Sequence, residues 1–227
     1  MKIIKINILI SLLIVFQIPV YAQSEKDMIN DSIIIPLKIG KNPNTHFETL
    51  DIEPVNLIIQ SKPLNKNSSH IQLELKIIKN KKKYTTYLWY NNDSIDNPKK
   101  NYPKAFNNYA FKLKINKEEE EVELVVEKLS FEKVFFIDIG QTAVIENITI
   151  LFEQCIGEWS EDLNGNQVAA FNTYYVSLTE ENEKESISFT SLNKTVRNKL
   201  SIEWKNYIFL VLEDSEKVLK LIVFKKH

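Results

Sequence analysis

The chain has 227 residues, 44% hydrophobic and 26% charged, with a formal net charge of −1, an ordinary globular composition with no basic field to hold nucleic acid or an anionic membrane. It carries four glycines and a single arginine, Arg197, among 29 basic residues. Gly40, Gly140, Gly157 and Gly165 are too scattered for a G-x-G-x-x-G turn or a phosphate-cradling loop, and one guanidinium makes no phosphate clamp, so nucleotide folds of those kinds are excluded.

Residues 1–22 read as a cleavable secretory signal peptide. Lys2 and Lys5 are its basic region, Ile6 to Val20 its apolar stretch, and Val20-Tyr21-Ala22 its small-residue cleavage site before Gln23. An uncleaved anchor is the weaker reading because the apolar run is near the short limit for spanning a bilayer and ends in Pro19. The expectation is therefore no stable membrane insertion after cleavage. Export also implies an oxidising or extracytoplasmic space, in which Cys155, the only cysteine, has no internal partner and reads as a small buried residue at a strand end.

Beyond the leader, apolar segments run on period two. Strands are predicted at 33–39, 55–60, 70–77, 84–90, 110–115, 122–129, 134–139, 147–154, 168–178, 186–190, 207–212 and 218–224. Ile71, Leu73, Leu75 and Ile77 alternate with Gln72, Glu74 and Lys76, the pattern of a half-buried antiparallel strand. In 84–90, Tyr87 and Trp89 fall on one face and Tyr90 on the other. Trp159 precedes Asp162-Leu163-Asn164-Gly165-Asn166, whose Asn-Gly reads as a type I′ hairpin turn. Its oxygens at Asp162, Asn164 and Asn166 also match the opening spacing of a calcium loop, but Gln167 and Thr173 stand where glycine and glutamate are needed. Ile208, Leu210 and Leu212 alternate with Tyr207, Phe209 and Val211, giving a strand apolar on both faces, which needs internal cover or a partner. No helical period of useful length follows the leader, so the class is all-β and sandwich-like.

Sliding the chain against itself by roughly 97 to 100 residues reveals an internal repeat. Ile39-Gly40 falls on Ile139-Gly140, Asn56–Gln60 resembles Ile148–Gln154, and Val125–Lys128 meets Ile222–Lys225. Phe106-Asn107-Asn108-Tyr109-Ala110-Phe111 lies on Trp204-Lys205-Asn206-Tyr207-Ile208-Phe209. The expectation is two tandem Ig-like antiparallel sandwiches, 30–129 and 131–227, joined near Lys128–Lys133. One larger sandwich is the alternative, marked by strands of both halves sharing a sheet rather than by two separate cores.

Catalytic signals are weak. His46, His70 and His227 have no zinc spacing, no G-x-S-x-G elbow exists, and the acidic runs at 118–121 and 180–183 lie between predicted strands. No cofactor is expected. Exposed aromatic rings are the stacking platforms of sugar-binding sandwiches, which makes Tyr87, Trp89, Tyr90 and Trp159 candidate contact residues, with Ile208, Leu210 and Leu212 as a candidate partner face.

Lysine-, asparagine- and isoleucine-rich usage with one arginine is that of an AT-rich genome. Asp31-Ser32-Ile33 and Asp93-Ser94-Ile95 match the Asp-Ser/Thr-aliphatic motif on which Bacteroidetes O-glycosylate exported proteins. With its leader ending Tyr21-Ala22-Gln23-Ser24, the chain resembles secreted or periplasmic Ig-like β-sandwich proteins of that phylum. The resemblance implies O-glycosylation at Ser32 and Ser94 and a periplasmic or secreted location. The C-terminus has Asn206-Tyr207 in place of an Asn-Pro opening and a Gly-x-Tyr strand, a departure that favours the periplasm. The resulting expectation is an exported, non-enzymatic binding or structural module for an envelope or extracellular protein, with a glycan-binding or glycan-hydrolysing sandwich as the competing class.

Overall fold

Alternation of apolar and polar side chains is realised along almost the whole chain. The computed structural model describes residues 31–62, 65–91, 103–116, 121–192 and 200–226, all within the unit Asp31–His227. The predicted leader and Ser94 lie outside the described residues. Eight strands fill the first half: β1 (Ser32–Leu37), β2 (Thr45–Phe47), β3 (Leu50–Lys62), β4 (Asn65–Lys79), β5 (Lys82–Asn91), β6 (Lys104–Phe106), β7 (Tyr109–Asn116) and β8 (Glu121–Lys128). Eight more follow: β9 (Phe135–Asp138), β10 (Thr142–Ile145), β11 (Ile148–Glu161), β12 (Gln167–Glu180), β13 (Glu183–Leu192), β14 (Leu200–Trp204), β15 (Tyr207–Ser215) and β16 (Val218–Lys225).

These strands form an eight-stranded sheet in the order β1-β8-β7-β6-β9-β16-β15-β14 and two four-stranded sheets, β2-β3-β4-β5 and β10-β11-β12-β13. The order in the first half is repeated in the second. The halves meet in the long sheet where β6 runs parallel to β9 through the single rung Lys104↔Phe136, the one parallel strand pair among the described residues.

Two apolar cores result. The first gathers Ile35, Leu50, Ile52, Leu73, Phe106, Tyr109, Phe111 and Leu124; the second gathers Phe135, Ile150, Phe152, Tyr174, Phe209 and Val223. Ala105 and Ala110, opposite one another on β6 and β7, belong to the second core, although Phe106, Tyr109 and Phe111 of the same strands belong to the first. Because successive residues of a strand point to opposite faces, the two cores lie on opposite faces of the eight-stranded sheet. Alanine at both positions lets the second core extend beneath the first half's hairpin without overpacking.

Thus the two features that were to separate tandem sandwiches from one larger sandwich occur together: there are two cores, and one sheet runs through both halves. Each half places its meander β2–β5 or β10–β13 in one sheet. An immunoglobulin sandwich instead sets strands A, B, E and D against C, F and G, so the strand order is not the expected Ig-like one.

The repeat is visible in backbone detail. Two-residue turns at Asn107 and Lys205 have φ of 52° and 49°, and those at Glu48 and Glu146 have φ of 52° and 51°. A bulge interrupts β3 between Pro54 and Asn56 and β11 between Phe152 and Gln154. That bulge corrects one alignment: Asn56–Gln60 corresponds to Gln154–Glu158, not to Ile148–Gln154, because matching apolar strand residues does not by itself fix register.

Candidate functional site

β5 is the last strand of its four-stranded sheet. The face of the eight-stranded sheet that the meander covers continues past it across β9 and β16, since Lys104 opposes both Phe111 and Phe136, Phe136 opposes Lys220, and Asp138 opposes Val218. The step between the β5 edge and this uncovered face is a cleft of about 230 Å³. Tyr87 and Trp89 form one wall, Phe111, Leu113, Phe136 and Val218 supply apolar lining, and Lys104, Lys112, Asp138, Glu213, Asp214 and Ser215 are its polar members. Period-two geometry puts Tyr87 and Trp89 together opposite Glu74 and Gln72 of β4, and the rings remain 42% and 39% exposed. The His70 ring lies 5.6 Å from that of Trp89.

Two of the cations near this cleft, Lys104 and Lys220, are held by carboxylates. Lys104 Nζ lies 2.5 Å from Asp138 Oδ2 and donates to the Tyr87 carbonyl oxygen at 3.2 Å, tying the β5 edge to β9. Lys220 Nζ donates to Glu213 Oε1 at 2.7 Å and stands 5.9 Å from the centre of the Phe136 ring. Asp214 accepts from the Tyr174 hydroxyl at 2.6 Å; burial first, then that carboxylate, push the Tyr174 phenol far above its ordinary range. The Ser215 hydroxyl donates to the Val218 carbonyl at 3.2 Å. Aromatic faces beside charged and polar groups can stack on a flat ligand surface and exchange hydrogen bonds with its polar rim.

Of the sequence candidates, Tyr87 and Trp89 are brought together in the cleft. Tyr90, half-buried, packs against the first core. Trp159, 65% exposed, stands on the far part of the β11–β12 hairpin and does not line the cleft. Ile208 and Leu210 are half-buried and face Phe224 and Ile222 across the ladder; Leu212 sits at a register shift between Val211 and Glu213. The face carrying Lys220 on β16 also carries Ile222 and Phe224 by alternation. The half-exposed strip Ile208, Leu210, Ile222 and Phe224 is therefore continuous with the cleft floor, neither fully covered nor fully open.

At the hairpin tip, Asp162 Oδ1 accepts from the backbone N–H groups of Asn164 and Asn166 at 2.8 and 2.9 Å, and Oδ2 accepts from Asn166 Nδ2 at 3.1 Å. These bonds, the Asn166 backbone first, hold the carboxyl below its usual range. Only Gly165 in this turn has positive φ, 80°, so the turn is not type I′, which requires two such residues. It is a three-residue loop whose glycine takes the left-handed position after a type I turn. The calcium-like spacing is spent on closing the hairpin. Ser32 is exposed on β1. Cys155 is half-buried against the second core, and burial, then Glu216 and Asp214, push its thiol up, away from the reactive thiolate.

Lys104, Phe136, Asp138, Glu213 and Lys220 were not among the sequence candidates. The available signal was polarity out of place: Asp138 ends an apolar run and Lys220 interrupts one, and a charge inside such a strand needs a partner. No protein-family model matches the chain, and no curated protein matches it either.

Proposed function

We propose that this protein is an exported, non-enzymatic binding module of the periplasm or the extracellular space, and that its ligand site is the cleft between β5 and the eight-stranded sheet. The observation that carries this reading is the placement of two half-exposed rings, Tyr87 and Trp89, at the border of a cleft whose floor continues into the apolar strip of β15 and β16. Concavity, aromatic lining and a few convergent polar groups are the attributes of a ligand site. The strip gives an envelope or extracellular protein partner apolar surface beyond the cleft.

A neutral glycan is the second reading, supported by the exposed rings of Tyr87 and Trp89 for stacking, with the pairing of Lys104 with Asp138 and of Lys220 with Glu213 reducing the charge those four groups present. The test is capture of envelope extract by the intact protein at low and high salt beside titration with neutral oligosaccharides. Trp89→Ala should weaken whichever interaction is found by at least tenfold, while Trp159→Ala should leave it unchanged. Binding that survives Trp89→Ala overturns the site; release of shortened oligosaccharides overturns the non-enzymatic reading.

A further inference from the structure

The repeated strand order gives the sheet an unusual property: its internal junction is made from two different surfaces, and each surface has a counterpart at the other end of the sheet. β6 receives β9 in the middle, while β14, the equivalent of β6, and β1, the equivalent of β9, are the two outer strands among the described residues. Ladder registers fix the correspondence. Tyr109 opposes Lys128 and Tyr207 opposes Lys225. Counting back equally from those lysines pairs Glu123 with Lys220, and hence Pro36 with Phe136, which oppose them on β1 and β9. The same count places Lys38 at the position of Asp138. Ile202 takes the position of Lys104, since these residues oppose Phe209 and Phe111.

At the internal junction the Phe136 N–H donates to the Pro103 carbonyl at 2.8 Å, and Lys104 pairs with Asp138. The β6–β7 turn adds two bonds to β10, Asn107 N to Thr142 O at 2.8 Å and Val144 N to Asn107 O at 2.7 Å. At the outer β1 edge, which no described strand pairs, the matching donor is missing, because position 36 is proline. Asp31 O accepts from Lys128 N of β8, so odd residues of β1 face β8 and even ones face outward. The next outward residue, Lys38, has both backbone groups occupied: its N–H donates to Asn42 Oδ1 at 2.8 Å, and its carbonyl accepts from Asn42 Nδ2 at 2.8 Å. The ion pair is also lost, with Ile202 and Lys38 in the two places.

We propose that β14 of one copy and β1 of another are complementary edges that would join head to tail as β6 and β9 do within the chain, and that Pro36 and Asn42 prevent this and keep the protein monomeric. Such a contact is heterologous, so without a block each copy offers an edge to the next, in a ring or in an open series. Proline on an edge strand with its missing N–H outward, and a side chain that occupies the edge amides, are established ways of blocking such growth.

The experiment is sedimentation of the full chain over a wide concentration range. The native protein should stay monomeric. Pro36→Val with Asn42→Ala should associate in a concentration-dependent series, at least tenfold more strongly, and adding Glu203→Pro, which removes an N–H from the matching edge of β14, should return it to monomer. Pro36→Val alone restores the donor while leaving the Asn42 loop intact, and serves if the double variant is unfolded by circular dichroism. Folded variants that remain monomeric overturn the proposal. So does association that persists with Glu203→Pro, and so does a native protein that already forms the series.

Discussion

Two residue clusters staple the halves in parallel ways. The Tyr109 hydroxyl donates to Glu48 Oε2 at 2.7 Å, with Lys128 2.7 Å from the same carboxylate. The Tyr207 hydroxyl donates to Glu180 Oε1 at 2.6 Å, with Lys205 3.2 Å away. Lys128, then Tyr109, hold Glu48 below its usual range; Tyr207, then Lys205, do so for Glu180. A carboxyl with a depressed folded-state pKa contributes stability above its unfolded value, about 4.3 for glutamate, and that contribution is lost as pH falls through the folded value. Glu48→Gln with Glu180→Gln should therefore melt below the native protein at pH 7, with the gap narrowing towards pH 3; thermal melts at several pH values check this. An equal gap at every pH would assign the effect to packing. Neither staple was legible in the sequence, because the glutamates sit in or beside turns and the tyrosines reach them only through the fold.

A second residue pair shows the repeat with its charges exchanged. Lys114 opposes Glu123, and on the equivalent rung Glu213 opposes Lys220. The second pair is the more buried, with the lysine side chain 8% exposed. Removing one partner of a buried pair strands the other, so Lys220→Met should cost about 3 kcal/mol. Adding Glu213→Leu should recover most of it. Urea unfolding of the two variants decides, and a double variant as weak as the single would mean that the pair itself is needed.

At the scale of elements, the long strands were readable and the short ones were not. Alternation in Ile71–Ile77 or Phe111–Ile115 announces β4 and β7, whereas β2, β6, β10 and β14 were missed. These are the same two strands of each half, only 3 to 5 residues long, too short to display a period. Their omission had a structural cost, because β6 is the strand that joins the halves. The double-sided apolar pattern of 207–212 calls for internal cover or a partner; Tyr207, Phe209 and Val211 are buried, whereas Ile208, Leu210 and Leu212 are half-exposed. The half-exposure of Ile208 and Leu210 follows from the place where the β2–β5 meander stops, which no local pattern records.

For the whole molecule, the repeat in sequence foretold two cores but not the shared sheet, since a single parallel rung and two alanines carry almost no sequence signal. Coupling through β6 and β7 predicts one cooperative unfolding transition. Leu73→Ala in the first core should lower its midpoint at a cost of about 2–5 kcal/mol, and Phe135→Ala in the second at about 3–5 kcal/mol, each shifting the whole transition. Calorimetry showing two transitions, with each substitution moving only one, would mean independent halves.

The binding account rests on the cleft, and three tryptophans report on it separately: Trp89 on its wall, Trp159 on the distant hairpin and Trp204 in the second core. The most direct measurement is the set of indole N–H signals of the ¹⁵N-labelled protein during titration with captured envelope partner or neutral oligosaccharide. The account predicts that the Trp89 signal moves in a saturable way while those of Trp159 and Trp204 stay in place. Saturable movement of the Trp159 signal with Trp89 unmoved would contradict it.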